Sequence, residues 1–307
     1  MLRLLTEWGR RRAALAIGAL LLLGVRGQLL QAQSPDWAAV DAALGRPGAA
    51  QEGGVRRWAM PRSDLRVTAA GITLRPAFAL GAWLAMVPHE DGVMAMGDLV
   101  LLEDELNPVL SALQAGGVEQ TAIHHHVMRE SPRVLYMHIH GHGDPVAIAR
   151  TVAAALARTG TPGVAGVAAA AAPSVELDTT AISAALGRQG RANGGVWQVG
   201  VPRAETLRDA GVVLPAAMGV GTVINFQPTG GGRAAITGDF VMVAEEVNRV
   251  MRALRGANIE VTSLHNHLLQ DDPRLFFVHF WAHDDAVVLA RGLRHALDET
   301  NSVQPTR

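Results

Sequence analysis

Alternating apolar and polar residues predict two β-hairpins, one in each half of the chain. In the first half, Gln120–Met128 and Val134–His140 alternate with the period of two that is typical of strands with one buried face. Val261–Leu269 and Leu275–Trp281 repeat this pattern in the second half. The apolar set of each hairpin, which includes Ile123 and Leu264, should pack on helices. The polar set should lie together on the opposite face of the sheet.

The hairpins stand in the same order of predicted elements, which is strand, helix, hairpin, helix. This β-α-β-β-α order predicts an α+β fold, in which each half has a ferredoxin-like antiparallel sheet with helices on one face. The predicted strands and helices around the hairpins are Val93–Leu102, Glu103–Ala115 and Pro145–Ala157, matched by Ala234–Val243, Ala244–Gly256 and Ala286–Leu297.

The two halves are copies of one unit. Ala42–Arg46 recurs as Ala184–Arg188, and other short matches recur at an offset of 141 residues. Gly97 and Gly238, which match at that offset, predict a turn or bulge. We therefore predict two pseudo-symmetric repeats, 34–160 and 177–302, joined by an alanine-, glycine- and proline-rich linker at 161–176.

Residues 1–33 have the pattern of an export signal. Arginines at the start are followed by the uncharged apolar run Ala13–Val25, which is shorter than the ~20 residues needed to span a bilayer. We expect export to the periplasm or the extracellular space, with no stable membrane span after cleavage of this segment.

Composition excludes several classes of function. The 307 residues are 49% hydrophobic and 18% charged, which indicates a folded protein. A formal charge of −1 and 4% aromatic residues argue against nucleic-acid binding. No phosphate-binding loop is present, so no nucleotide cofactor is expected. The chain has no cysteine, which excludes disulfides and thiolate metal ligands.

Two matching sets of four histidines are the main chemical feature. Both sets read His-x-His, a turn with proline, then His-x-x-x-His, and the strand parity puts each set on the face opposite the apolar residues. The residues are His124, His126, His138 and His142, matched by His265, His267, His279 and His283.

Imidazoles on neighbouring strands predict a transition-metal site. If Pro132 is central to the first turn, His126 faces His138 and His124 faces His140; Trp281 replaces His140 in the second copy. Histidine ligands without thiolates favour Zn²⁺, Cu²⁺ or Ni²⁺. An open position on the ion would permit hydrolytic chemistry. The candidate carboxylates, either as an additional ligand or as hydrogen-bond partners of the imidazoles, are Asp98, Glu105, Asp239 and Glu246.

Two other readings of the histidine face stay open. It could belong to a non-metal module of the cell envelope that binds an anionic glycan or peptide. It could also be a pH-responsive interaction surface, because imidazole titrates near neutral pH. The sequence leaves open whether the protein is an enzyme and how it oligomerises.

Several motifs resemble the LppY/LpqO-like family of exported bacterial proteins. They are Ile259–His267, Pro273–Trp281 and the run Gly238-Asp239-Phe240. The resemblance extends over both copies, and the second copy matches more closely. It implies export and a two-copy architecture but no reaction. Some members look like lipoproteins, whereas this chain lacks the cysteine that lipid attachment requires.

Overall fold

The computed structural model describes residues 34–163 and 173–304. The predicted export signal at 1–33 lies outside the described residues, and so does most of the predicted linker, at 164–172. Within the part of the chain that is described, no helix combines the length and apolarity that a membrane span requires.

The first repeat is built on a six-stranded antiparallel sheet. The strands of the repeat are β1 (Ala49–Ala50), β2 (Arg56–Pro61), β3 (Thr68–Ala69), β4 (Ile72–Thr73), β5 (Gly81–His89), β6 (Gly92–Leu102), β7 (Glu119–His124), β8 (Glu130–Ser131) and β9 (Val134–Gly143). The large sheet has the order β1-β2-β5-β6-β9-β7, and β4-β3-β8 form a small separate sheet.

The second repeat has the same topology. Its strands are β10 (Arg191–Asn193), β11 (Val196–Val201), β12 (Arg208–Asp209), β13 (Val212–Val213), β14 (Thr222–Gly230), β15 (Arg233–Met242), β16 (Glu260–His265), β17 (Asp271–Asp272) and β18 (Phe276–Asp285). The large sheet has the order β10-β11-β14-β15-β18-β16, and β13-β12-β17 form the small one.

Helices complete each repeat, and local sequence sets their ends. They are α1 (Trp37–Leu44), α2 (Pro76–Ala79), α3 (Leu106–Ala115) and α4 (Pro145–Leu156), then α5 (Thr179–Leu186), α6 (Ala244–Gly256) and α7 (Ala286–Leu297), with 3₁₀ turns at Glu52–Gly54 and Ala216–Met218. Asp36 and Asp178 cap α1 and α5 by accepting hydrogen bonds from backbone N–H groups. Gly45 and Gly187, at positive φ, end the same helices. The predicted β-α-β-β-α order and the α+β class are confirmed.

Each large sheet uses its two faces differently. One face packs on the helices of its own repeat, where α4 covers β6 and β9, and α7 covers β15 and β18. The other face packs on the opposite repeat. An apolar cluster that joins Met94 and Met96 of β6 to Met218, Leu268 and Phe277 of the second repeat lies in this interface. The described residues therefore form helices, two sheets and helices in successive layers.

Two details differ from the sequence predictions. Ile123 and Leu264 are 45% and 48% exposed and do not pack beneath helices, because β7 and β16 are the edge strands of their sheets. Gly97 and Gly238 lie in the middle of β6 and β15, not in a turn. A Cβ at Gly238 would overlap the carbonyl oxygen of Val223 on the adjacent strand, so close strand approach explains this glycine.

Candidate metal centre at the interface of the repeats

Six histidines, three from each repeat, meet where the two large sheets face each other. We call them the histidine cluster: His124, His126, His138, His265, His267 and His279. The sequence predicts two sets on two separate faces. Because the two faces pack against each other, the sets merge into one cluster between the repeats.

The cluster has pseudo-twofold symmetry. His124 and His265, which are equivalent in the two repeats, stack with ring centroids 3.7 Å apart. The ring centroids of His126 and His279 are 3.8 Å apart, and those of the equivalent pair, His267 and His138, are 3.7 Å apart. Each repeat therefore completes the arrangement of the other.

Hydrogen bonds across the interface hold the two His-x-His segments. The hydroxyl of Thr121 donates to the carbonyl oxygen of His267 at 2.5 Å, and the hydroxyl of Thr262 donates to that of His126 at 2.8 Å. Thr121 and Thr262 are equivalent positions of β7 and β16. The same two side chains thus fix the backbone next to the ligand candidates on both sides of the axis.

The strand register differs from the prediction. His124 pairs with Tyr136 and not His140, while His138 pairs with Ala122. The strands end earlier than the alternation suggests, because the segment 125–133 leaves the hairpin and its strand β8 pairs with β3. The face of each residue is nevertheless as predicted, since the slip is an even number of residues. His126 lies beyond the end of β7, and its ring stacks on that of Tyr136 with centroids 3.4 Å apart.

Backbone carbonyls orient two of the imidazoles. His279 Nδ1 donates to the Gly238 carbonyl oxygen at 2.7 Å, and His267 Nδ1 donates to that of Gly219 at 3.1 Å. A carbonyl can only accept, so Nδ1 carries the proton in the neutral ring and Nε2 presents its lone pair. This is the arrangement by which proteins orient metal-binding histidines.

Ring nitrogens of the cluster fit a metal ion. Two groups of ligand atoms, each within 4.8 Å of one another, are formed by His124, His265 and His279 and by His138, His265 and His267, so that His265 belongs to both. His124 Nε2 and His279 Nε2 share a hydrogen bond at 3.2 Å, and an ion bound by both nitrogens would replace its proton. Two nitrogens bound tetrahedrally at 2.0–2.1 Å to one ion would be separated by ~3.3 Å.

Several buried ring nitrogens of the cluster have no hydrogen-bond partner. An unpartnered polar atom in the interior is costly, so nitrogens left in this state in a folded protein call for a ligand. The atoms are His124 Nδ1 and the Nε2 atoms of His126, His138, His265 and His267.

Two aspartates stand beside the cluster in equivalent positions. Asp98 Oδ2 lies 3.6 Å from His126 Nε2, and Asp239 Oδ2 lies 3.2 Å from His267 Nε2. Burial raises the pKa of Asp239 to about 6, and burial together with the charge of Asp239 raises the pKa of Asp98. Burial lowers the pKa of His267 to about 3. Neutral imidazole is the form that binds metal, so these surroundings suit a cation.

Glu105 and Glu246 have structural partners. Glu105 accepts hydrogen bonds from the buried guanidinium of Arg62 at 2.6 and 3.0 Å. Glu246 accepts two from Arg203 at the same distances, at the start of α6. Their carboxylates fix helix ends and neighbouring loops, and neither has a hydrogen bond to a histidine.

His142 and His283 lie apart from the cluster. Both are exposed, at the far ends of β9 and β18. His283 Nε2 shares a hydrogen bond with the hydroxyl of Thr229 at 3.0 Å. His142 lies beside His140, with the ring centroids 4.7 Å apart. Of the eight predicted ligands, six are therefore brought together.

A cavity of about 1040 Å³ opens onto the cluster. His126, His138, His267 and His279 line it together with both aspartates, and residues of both repeats form its walls. Arg57 is a wall residue that the sequence did not single out. Its guanidinium lies 3.7 Å from the ring centroid of Trp83, and burial lowers its pKa to about 10. No sequence signal marks Arg57, because only the packing of the two repeats brings it to the site.

A family model matches both repeats of this chain, and its description assigns no activity. The model of a family described as Domain of Unknown Function (DUF1259) matches residues 38–158 and 180–299, one match in each repeat. No curated protein matches the chain.

Two solved structures show weak similarity. The trimeric bacterial microcompartment shell protein PduB is 13% identical, with 83% of this chain and 95% of that chain covered and a TM-score of 0.22. A double-ringed trimeric shell protein from the RMM microcompartment is 15% identical, with 71% and 87% covered and a TM-score of 0.19. Similarities at these TM-scores carry no argument about this protein.

Proposed function

The chain belongs to this family of unknown function, and from that premise we propose that its histidine cluster binds a transition-metal ion between the repeats. The observation that carries the proposal is that six imidazoles from the two repeats lie together in the interface, several with unpartnered nitrogens, and that five of them form two overlapping groups of possible ligand atoms. A fold gains nothing from burying so many polar rings without partners.

The ligand chemistry favours zinc, copper or nickel. Imidazole nitrogens without thiolates suit borderline ions, and calcium and magnesium prefer oxygen ligands. The backbone hydrogen bonds of His267 and His279 support metal binding by these residues because they leave Nε2 free to act as a ligand. Asp98 and Asp239 supply negative charge when a cation is present.

The cavity extends the proposal from storage or delivery of metal to hydrolysis. It gives a small molecule access to the histidines and is lined by both aspartates. A divalent ion with a free position lowers the pKa of bound water toward 7 and thereby supplies a nucleophile. Asp98 and Asp239 would then hold or accept the proton of that water.

The proposal includes export to the periplasm or the extracellular space. Its support is the basic start and the apolar run of residues 1–33. Fractionation of cells that produce the chain with and without this segment tests it. Loss of the exported pool upon deletion is the expected result, and equal distribution of both forms would refute export.

A second candidate function is the binding of a small anion without metal. Arg57 favours it, because this arginine stacks on Trp83 in the wall of the cavity and has no ion pair with a carboxylate among the described residues. A ligand carboxylate or phosphate could pair with its guanidinium. In this case the purified protein would retain the anion after removal of all metal.

Elemental analysis and zinc titration test the metal proposal. The purified protein should contain stoichiometric metal and, after chelation, bind Zn²⁺ in calorimetry. His265→Ala should weaken binding by at least ~10-fold, because His265 belongs to both ligand groups. His295→Ala, which removes an exposed imidazole on α7, is the matched control.

The result that would overturn the proposal is equally specific. If the folded His265→Ala protein binds Zn²⁺ at the cluster as tightly as the wild type, the cluster is not the metal site. Metal-free wild-type protein that shows no saturable Zn²⁺ binding in calorimetry would refute metal binding itself.

A further inference from the structure

A second group of ligand atoms lies beside the histidine cluster and shares no residue with it. It consists of His140 and His142 of β9 and Asp209 of β12, and we call it the side site. The ligand atoms of these three residues lie within 4.8 Å of one another. Two residues come from the first repeat and one from the second, so the side site also spans the interface.

The closest pair in the side site is not a hydrogen-bonded ion pair. His140 Nε2 and Asp209 Oδ2 are 2.9 Å apart, yet His140 Nε2 makes no hydrogen bond, and neither does the other carboxylate oxygen of Asp209. Both side chains are buried, with residue exposures of 8% and 2%. Two buried ligand atoms that approach each other without hydrogen-bond geometry suggest a cation shared between them.

His142 gives the side site an opening. Its side chain is exposed, and its ring plane is inclined by 71° to that of His140, with ring centroids 4.7 Å apart. His89 approaches from the end of β5, which is separated from β9 by β6, and its ring centroid lies 6.1 Å from that of His142. The buried pair thus forms the bottom of the side site, and His142 forms its rim.

The pseudo-symmetry provides an internal comparison. In the second repeat, Trp281 takes the place of His140 and packs on Phe78 with ring centroids 6.0 Å apart. Asp209 pairs with Val212 and Asp271, and the equivalent strand position in the first repeat, which pairs with Ile72 and Glu130, is Ala69. Histidine and aspartate therefore occur together on one side of the axis, and tryptophan and alanine occur on the other.

Histidine occurs with aspartate on one side of the axis, and tryptophan with alanine on the other, which argues that the side site has a function. A buried histidine or a buried carboxylate alone would be costly, and the chain carries both only where they face each other. The apolar alternative on the other side shows that the fold accommodates tryptophan and alanine in this position. Packing alone therefore gives no reason for the polar pair.

We propose that His140, His142 and Asp209 form a second, solvent-accessible site for a divalent first-row transition-metal ion of the zinc class. Two imidazoles and one carboxylate are a common ligand set for Zn²⁺ and Fe²⁺. The site exchanges its ion with solvent through His142. It does not depend on the histidine cluster, because none of its ligands belongs to that cluster.

Zinc titration of the chelated protein in the His265→Ala background tests the side site separately. Calorimetry should show one remaining class of Zn²⁺ sites. Adding His142→Ala should weaken that binding by at least ~10-fold without affecting the fold, because His142 is exposed. Asp209→Asn keeps the shape of the side chain and should have the same effect.

His283→Ala is the matched control, because His283 is the exposed equivalent of His142 in the second repeat. It should leave the remaining Zn²⁺ affinity unchanged. The double variant His140→Trp with Asp209→Ala reproduces the residues of the other side. It should fold and lose the site.

The outcomes separate this proposal from the function proposed for the cluster. If the His265→Ala protein binds no Zn²⁺, or if His142→Ala and Asp209→Asn titrate like their parent, His140 and Asp209 form a buried ion pair only and the side site is refuted. Either result leaves the test of the cluster intact, since that test compares His265→Ala with the wild type.

Discussion

His124 of the first repeat stacks on His265 of the second, with ring centroids 3.7 Å apart and ring planes inclined by 18°. The two residues are separated by 141 positions and occupy equivalent places at the ends of β7 and β16. A pseudo-twofold axis therefore passes between two potential ligands. It follows that the cluster exists only when both repeats are folded and packed, so metal binding and packing of the repeats are coupled.

Zinc should therefore stabilise the protein against heat. A ligand that binds only the folded state contributes about 2.7 kcal/mol at 100 times its Kd, which corresponds to a rise in Tm of roughly 5–10 °C for a protein of this size. Differential scanning calorimetry with and without Zn²⁺ measures the shift. In His265→Ala the part of the shift that the cluster contributes should disappear, whereas His295→Ala should keep the full shift. An equal shift in both variants would contradict the coupling.

The strand parity of the histidines was sufficient to predict the face that they share. Parity survives an even slip in register, which is why His124 and His138 lie together although their predicted cross-strand partners were wrong. The merging of the two sets was not predictable. It depends on packing between residues such as Met96 and Phe277, and no local pattern specifies which sheet faces which.

The side-site aspartate illustrates the same limit of local patterns. Asp209 lies in the two-residue strand β12, far in sequence from the histidines of β9 that it approaches. Only the pairing of β12 with β17 and the contact between repeats bring it near His140. Glu105 and Glu246 show the reverse case. They were candidate carboxylates of the site, although their position near a helix start also favoured a structural role, and they bind Arg62 and Arg203.

Replacement of Gly238 by alanine should destabilise the protein strongly. The added Cβ would overlap the backbone oxygen of Val223 and approach the ring of Phe280, and a backbone atom within a sheet cannot move aside easily. We expect a loss of about 3 kcal/mol or more in the free energy of unfolding, measured by urea denaturation. Zinc affinity should fall as well, because the Gly238 carbonyl orients His279.

Gly200→Ala is the control for this substitution. Gly200 also lies in a strand, β11, but a Cβ there has open space within 4 Å. Its replacement should change stability by less than about 1 kcal/mol. Similar losses for both variants would show that strand glycines matter here for a reason other than close strand approach.

Two leucines of one segment should respond differently to truncation. Leu268 is 1% exposed in the apolar cluster between the repeats, and Leu268→Ala should cost about 3 kcal/mol. Leu264 is 48% exposed on the edge strand β16, and Leu264→Ala should change the free energy of unfolding by no more than about 0.5 kcal/mol. Chemical denaturation of both variants measures the difference. Equal losses would contradict the assignment of β16 as an uncovered edge.

Glu246 should make stability depend on pH in the acid range. Its carboxylate accepts hydrogen bonds from Arg203 at 2.6 and 3.0 Å and from the backbone N–H groups of Val243 and Asn301 at 2.9 and 2.7 Å. Burial alone would raise the pKa of Glu246, but these hydrogen bonds outweigh it, so the pKa lies below the ordinary value of 4.5. The unfolded chain therefore takes up this proton first as the pH falls.

The contribution of Glu246 is accordingly complete above about pH 4.5 and is lost as the pH falls through the lower pKa of the folded state. Glu246→Gln should cost about 3 kcal/mol at pH 7, because Arg203 loses a buried partner, and this cost should shrink toward pH 3. Urea denaturation across this pH range measures both effects. Glu245→Gln, on the exposed side of α6, should run parallel to the wild type. A constant difference between Glu246→Gln and the wild type from pH 7 to pH 3 would show that the carboxylate charge is not what stabilises this end of α6.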